Sequence, residues 1–176
     1  KYDKLYNNRQ KIIKSQKTNF LISIFLLYST IIAGALVSGT EAGLAYNNFP
    51  YMGEGFLPPI ISSWKTINLN ELLYDQGFLQ FIHRILATST LLFIFYTLIK
   101  AKKFNIFLGY EKLYYCLFAM IILQYSLGII VLKLYVPIFL GLMHQLGSLI
   151  MLTLLVISFC QIKKMGLKSP ILSNNI

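Results

Sequence analysis

Four stretches of this chain are each long and apolar enough to cross a bilayer, and this limits the fold before any motif is read. They run roughly from Thr18 to Ser38, Phe78 to Lys100, Lys112 to Lys133 and Ile138 to Ile162. A spanning helix takes about 20 residues and a spanning strand only about 10. Each run is apolar nearly all round, so periodicity does not separate the two, and length decides for helix. Composition agrees. The chain is 56% hydrophobic and 12% charged, with mean hydropathy +0.63, where a soluble domain carries about 25% charged residues. The expected fold class is all-α, a membrane four-helix bundle.

Charge orients the bundle. Residues 1–17 hold six Lys/Arg against one Asp, and Lys100, Lys102, Lys103 and Lys112 flank the second connection. Lys163, Lys164 and Lys168 follow the fourth run, whereas residues 39–77 hold Glu41, Glu54, Glu71 and Asp75 against Lys65. By the positive-inside rule both termini and the middle connection face the cytoplasm or a mitochondrial matrix. The chain therefore divides into a basic loop or tail (1–17), a transmembrane module (18–162) with an outer loop (39–77), and a basic tail (163–176). The net charge of +10 sits at the ends of the spans. It is not interleaved with aromatics as a nucleic-acid surface would be, so no nucleic acid is expected. The chain begins at Lys1, with no signal-peptide pattern before the first run. Its opening reads as an internal loop, so a longer protein is expected, with this as its C-terminal part.

The outer loop is far longer than the roughly 2–8 residues usual between bundle helices. It is rich in Gly, Pro and aromatics, which suits a lid on the membrane surface with Tyr46, Tyr51 and Trp64 at headgroup depth. "LNELLYDQ" (69–76) reads as a short interfacial helix. Cys116 and Cys160 read as buried apolar thiols, with no disulfide or metal assigned.

His83 and His144 are the two histidines of the chain, and both fall within spans. His83 lies about six residues, or roughly 9 Å, past the outer end of its helix. His144 lies seven residues past Pro137, or roughly 10 Å. The second and fourth spans run in the same direction, so the two imidazoles belong at one depth. Haem iron takes axial histidines from facing helices of a bundle. Zinc wants four ligands, and no Cys, Asp or Glu stands at that depth. A proton relay is an alternative for intramembrane ionisable groups, although the spans hold no carboxylate. Histidines that only pack are the bland alternative. Around His144, Gly141, Gly147 and Ser148 share its helix face, as Ala87 shares that of His83. Small residues there make room for a flat ring, or simply for close helix packing. Arg84 points about 100° away from His83. Near the outer interface it either snorkels or pairs with a carboxylate, of the loop or of a haem propionate. Gln80, Gln124 and Gln145 are candidates for bonds across helices.

Three segments together resemble one known family. "GALVSGTEAGLAYNNFPYMGEGFLPP" is similar to the outer-loop motif G-A-x-V-A-G-x-D-A-G-x-x-Y-N-x-F-P-x-M-G in the C-terminal half of haem A synthases. "FLQFIHRILA" resembles the V-Q-F-x-H-R motif that follows it. "LQYSLGIIVLKLYVPIFLGLMHQLGSLIMLT" resembles the last motif, L-Q-x-x-L-G-I, then V-P-x-x-L-x-x-x-H-Q-x-G. The likeness covers about residues 33 to 155 and is of the mitochondrial and proteobacterial type, which lacks an outer-loop cysteine pair. Glu41 departs from it, standing where the family has Asp.

The resemblance implies eight spans in two four-helix halves, each with a histidine pair. It implies oxidation of a ring methyl of haem O to the formyl group of haem A, for cytochrome c oxidase. In this half it implies haem b on His83 and His144; Arg84, from its own position, is the further cofactor contact expected. The catalytic residues and the haem O substrate are expected in the other half. Implied partners are membrane lipid, an electron donor, haem O synthase and a second copy of the chain. The implied location is a bacterial plasma membrane or the mitochondrial inner membrane. An electron-carrying b-type cytochrome and a non-catalytic assembly protein are the rival readings.

Overall fold

The computed structural model describes residues 2–63 and 68–167. Its helices are α1 (Tyr2–Gly39), a short α2 (Leu69–Tyr74), α3 (Gln76–Lys103), α4 (Glu111–Lys133) and α5 (Ile138–Leu167). All but α2 are long and apolar enough to cross a membrane, so the all-α four-helix membrane bundle is as expected. Trp64, Lys65 and Lys168, and the expected tail beyond Leu167, lie outside the described residues.

The spans differ from expectation chiefly at the ends. Helix α1 starts at Tyr2, so the basic segment 1–17 is helical from that residue on. It contains no Gly or Pro to stop a helix. Ile13 and Gln16 are buried on its inner face, and Ile13 meets α5 beside Gly166.

The seams are spelled in steps of three and four residues. On α1 the buried positions are Ile13, Gln16, Phe20, Ser23, Leu27, Thr30 and Ala33. On α4 they are Tyr114, Leu117, Ile121, Gln124 and, a heptad further, Val131. This is heptad spacing, which keeps one stripe of a helix facing its neighbour. Polar and small residues occupy much of it, because apolar side chains gain nothing by leaving lipid for protein. Across the α1–α3 seam Ser23 Oγ meets Thr97 Oγ1 at 3.3 Å, and Thr30 Oγ1 meets Thr90 Oγ1 at 2.8 Å. These pairs set the two helices antiparallel.

Helix α1 packs on α3 and α5, while α4 packs on α5 and, less closely, on α3. Helices α3 and α5 therefore stand on a diagonal. The apolar core, including Phe20, Leu98, Leu117 and Leu155, fills the half of the bundle nearer the chain ends. Ile106 and Phe107, from the α3–α4 connection, close that end. The half nearer the 40–75 loop is left to the histidines. Cys116 and Cys160 are free and exposed, which corrects the expectation of buried thiols. Both stand off the heptad stripes, on faces that an apolar solvent accepts.

Candidate functional site

His83 is eight residues into α3 and His144 seven residues into α5. The diagonal placement brings both to the same end of the bundle. Each is seated in the same way by the preceding long helix. The His83 ring lies on Gly34 of α1, where a Cβ would stand 3.0 Å from its Cε1. The His144 ring lies on Gly128 of α4, where a Cβ would stand 2.9 Å from its Cε1. One turn before each glycine sits the residue that holds Nδ1. The carbonyl oxygen of Thr30 is 3.2 Å from Nδ1 of His83. The amide nitrogen of Gln124 is 3.1 Å from Nδ1 of His144.

Thr30, Gly34 and Gly128 were not singled out in the sequence, and Gln124 only as one of several glutamines. A signal was available. Glycine follows Thr30 and Gln124 by four residues in both helices, and both glycines fall in stretches that carry the family likeness. Of the small residues expected beside His144, Gly147 does face a neighbour, the Gln124 side chain. Gly141 faces nothing within 4 Å. Gln145 is exposed.

Arg84 is committed to the outer loop. Its guanidinium donates to the carbonyl oxygens of Tyr46 at 2.7 Å, Tyr51 at 3.1 Å and Pro50 at 3.4 Å, and to Gln80 Oε1 at 3.2 Å. Its partners in the chain are thus backbone carbonyls and an amide, not the loop carboxylate considered from sequence. A loop has carbonyls that no ladder satisfies, and a forked cation answers several at once. The Nε of Arg84 is buried and keeps its donor unused.

Other side chains fasten the same loop. Asn47 donates to the Leu132 carbonyl at 2.9 Å, and Gln76 to that of Thr40 at 2.6 Å. Tyr46 is half-buried, its ring against Gly77, while Tyr51 is exposed. Of the 69–76 stretch, Leu69–Tyr74 forms α2, capped by the Asn68 side chain on the Glu71 amide; Asp75 is extended and caps α3 through the Phe78 amide. Between the loop, α3 and α4 runs a groove of about 390 Å³, lined by Phe49, Phe56, Phe81, Arg84 and Tyr125.

Glu41 adopts φ 56° and makes no side-chain cap bond. Asp tolerates this left-handed region better than Glu, so the departure from the family pattern falls where backbone shape prefers the usual residue.

The donor set fits a planar metal-bearing group better than a bare ion. Among the described residues no three of His, Cys, Asp and Glu gather to hold a metal. The site offers two imidazoles with Nδ1 engaged: His83 against the Thr30 carbonyl, which is how metal-binding histidines are commonly held, and His144 against the Gln124 amide nitrogen. The glycines leave the rings lying against bare backbone, and the unused Arg84 Nε supplies a donor for an anionic edge.

Fold and site together define a four-helix membrane protein with a paired-histidine site on diagonal helices. Residues 4–156 match the sequence profile of a family described as cytochrome oxidase assembly protein. The chain belongs to that family. A heme A synthase of Rickettsia prowazekii is 37% identical over 153 residues, covering 82% of this chain and 43% of the relative. Those of Rickettsia felis and Rickettsia bellii are 37% and 35% identical, covering 81% and 80% of this chain and 41% of each relative. The chain thus spans less than half the length of these relatives. No solved structure matches it.

Proposed function

We propose that the chain is the C-terminal half of a haem A synthase and holds haem b between His83 and His144. The observation that carries this is the duplicated seat, in which each imidazole rests on a glycine and is held at Nδ1 by the residue four before it. Helices that only pack have no need to treat two diagonal histidines alike. Arg84 Nε is the donor left for a haem propionate, and the loop that Arg84 fastens covers that end of the bundle. Bound haem b supplies one-electron transfer. The residues of this chain orient it, ligate it and shield it from water.

In the whole protein this half exchanges electrons with the haem O site of the other half, where an external oxidant converts the ring methyl to the formyl group of haem A. The membrane is the plasma membrane of a bacterium or the mitochondrial inner membrane. An electron donor, haem O synthase and a second copy of the chain are the partners proposed. The test is to purify the chain with haem available. A low-spin b-type spectrum is expected, lost when both His83 and His144 become alanine. Absence of the spectrum, or its survival in the double variant, refutes the proposal. The rival is a b-type cytochrome that does no chemistry on its haem. Conversion of added haem O by the full-length protein excludes it.

A further inference from the structure

The two histidines are held by chemically different partners. Nδ1 of His83 faces the Thr30 carbonyl. A carbonyl only accepts, so Nδ1 carries the proton and Nε2 keeps its lone pair. His83 is ready to bind a metal as it stands. Nδ1 of His144 faces Gln124 Nε2, and the same nitrogen donates to the His144 carbonyl at 2.6 Å. That carbonyl only accepts, so the amide presents its NH2 group on this side. Nδ1 of His144 is then an acceptor too. The ring proton sits on Nε2, the atom that an iron would need.

Gln124 also has a bond unmade. Its Oε1 is buried without a partner, pressed close to Gly147 of α5. A buried acceptor left unpaired is unfavourable, because it has lost its bond to water. Turning the amide about its last torsion brings Oε1 to Nδ1, where it accepts a proton moved there from Nε2. The turn gives up the bond to the His144 carbonyl.

We infer that Gln124 is the positioning residue of His144. It decides which ring nitrogen is free, and iron ligation at Nε2 goes with reversal of its amide. The inference rests on the haem reading above. Ligation by His83 changes nothing around it, whereas ligation by His144 moves a proton and breaks a bond. The His144 bond to iron is therefore the weaker of the two, and a side chain rather than the backbone sets its strength.

The first test needs no substitution. In the haem-free chain labelled with 15N-histidine, nitrogen NMR is expected to show opposite tautomers, one ring protonated at Nδ1 and the other at Nε2. Two rings in the same tautomer overturn the inference. The second test adds ferric haem b to the chain in nanodiscs, as wild type, Gln124→Leu and Gln124→Glu. Gln124→Leu is expected to keep haem on His83 while low-spin signal gives way to high-spin and the ferrous form binds CO several-fold more. Gln124→Glu can only accept from Nδ1, so it is expected to stay low-spin, bind less CO than wild type and shift the midpoint potential downward. Wild-type spectra, potential and CO binding in Gln124→Leu overturn the inference, as does an upward shift in Gln124→Glu. Failure of wild type to take up haem is a separate result, which sinks the haem reading and this inference with it.

Discussion

Gly128→Ala is the smallest change that tests the seat of His144. The added Cβ would stand 2.9 Å from Cε1, 3.5 Å from Nε2 and 3.6 Å from Nδ1 of the ring. Ordinary carbon contacts are about 3.5–4.0 Å, so the imidazole must retreat by roughly 0.6–1 Å. It is not free to do so. Gln124 holds Nδ1 at 3.1 Å and the His144 carbonyl at 2.6 Å, and the same retreat stretches the first bond past the useful limit. Overpacking of this kind costs about 1–3 kcal/mol. If the cost falls on the liganded geometry, haem affinity drops roughly five- to 150-fold. The assay is a Soret titration of haem b into the nanodisc-embedded chain. Gly141→Ala is the control, since its Cβ would meet nothing within 4 Å, and it is expected to bind as wild type does. Unchanged affinity in Gly128→Ala, or equal losses in both variants, refutes the reasoning.

Replacing Arg84 by Lys removes the fork that reaches three loop carbonyls, and one ammonium cannot restore it. Faster hydrogen exchange across residues 46–52 is expected, and unchanged exchange counts against the fastening role. Thr30→Val and Thr90→Val each lose the same 2.8 Å bond. Each is expected to cost about 0.6–1.7 kcal/mol, with the double variant costing little more than either alone, as a thermal-melt cycle would show. Glu41→Asn relieves a left-handed residue at φ 56° and is expected to raise stability by about 1 kcal/mol, read as a higher melting temperature.

The span count, the helical class and the two histidines were legible because they depend on length and residue type. Twenty apolar residues have few ways to satisfy their backbone in lipid, and an ionisable group among them stands out. The seams were legible in principle and were missed. Gln16, Ser23 and Thr30 recur at intervals of seven, as do His83, Thr90 and Thr97. A reading tuned to hydrophobicity passes over them, since every face of such a helix is apolar. Arg84 was expected to choose between a carboxylate and snorkelling. The backbone carbonyls that it meets come from a loop whose path no local pattern specifies.

Sequence by itself therefore determined what crosses the membrane, where ionisable groups interrupt the spans and which family motifs surround them. Tertiary structure alone decided who seats whom: His83 on Gly34, His144 on Gly128, and Gln124 rather than a carbonyl on the second ring. In water, burial of apolar surface would have marked the facing sides of these helices. In lipid that term is nearly absent, and close approach at small residues and a few hydrogen bonds across helices choose the partners instead.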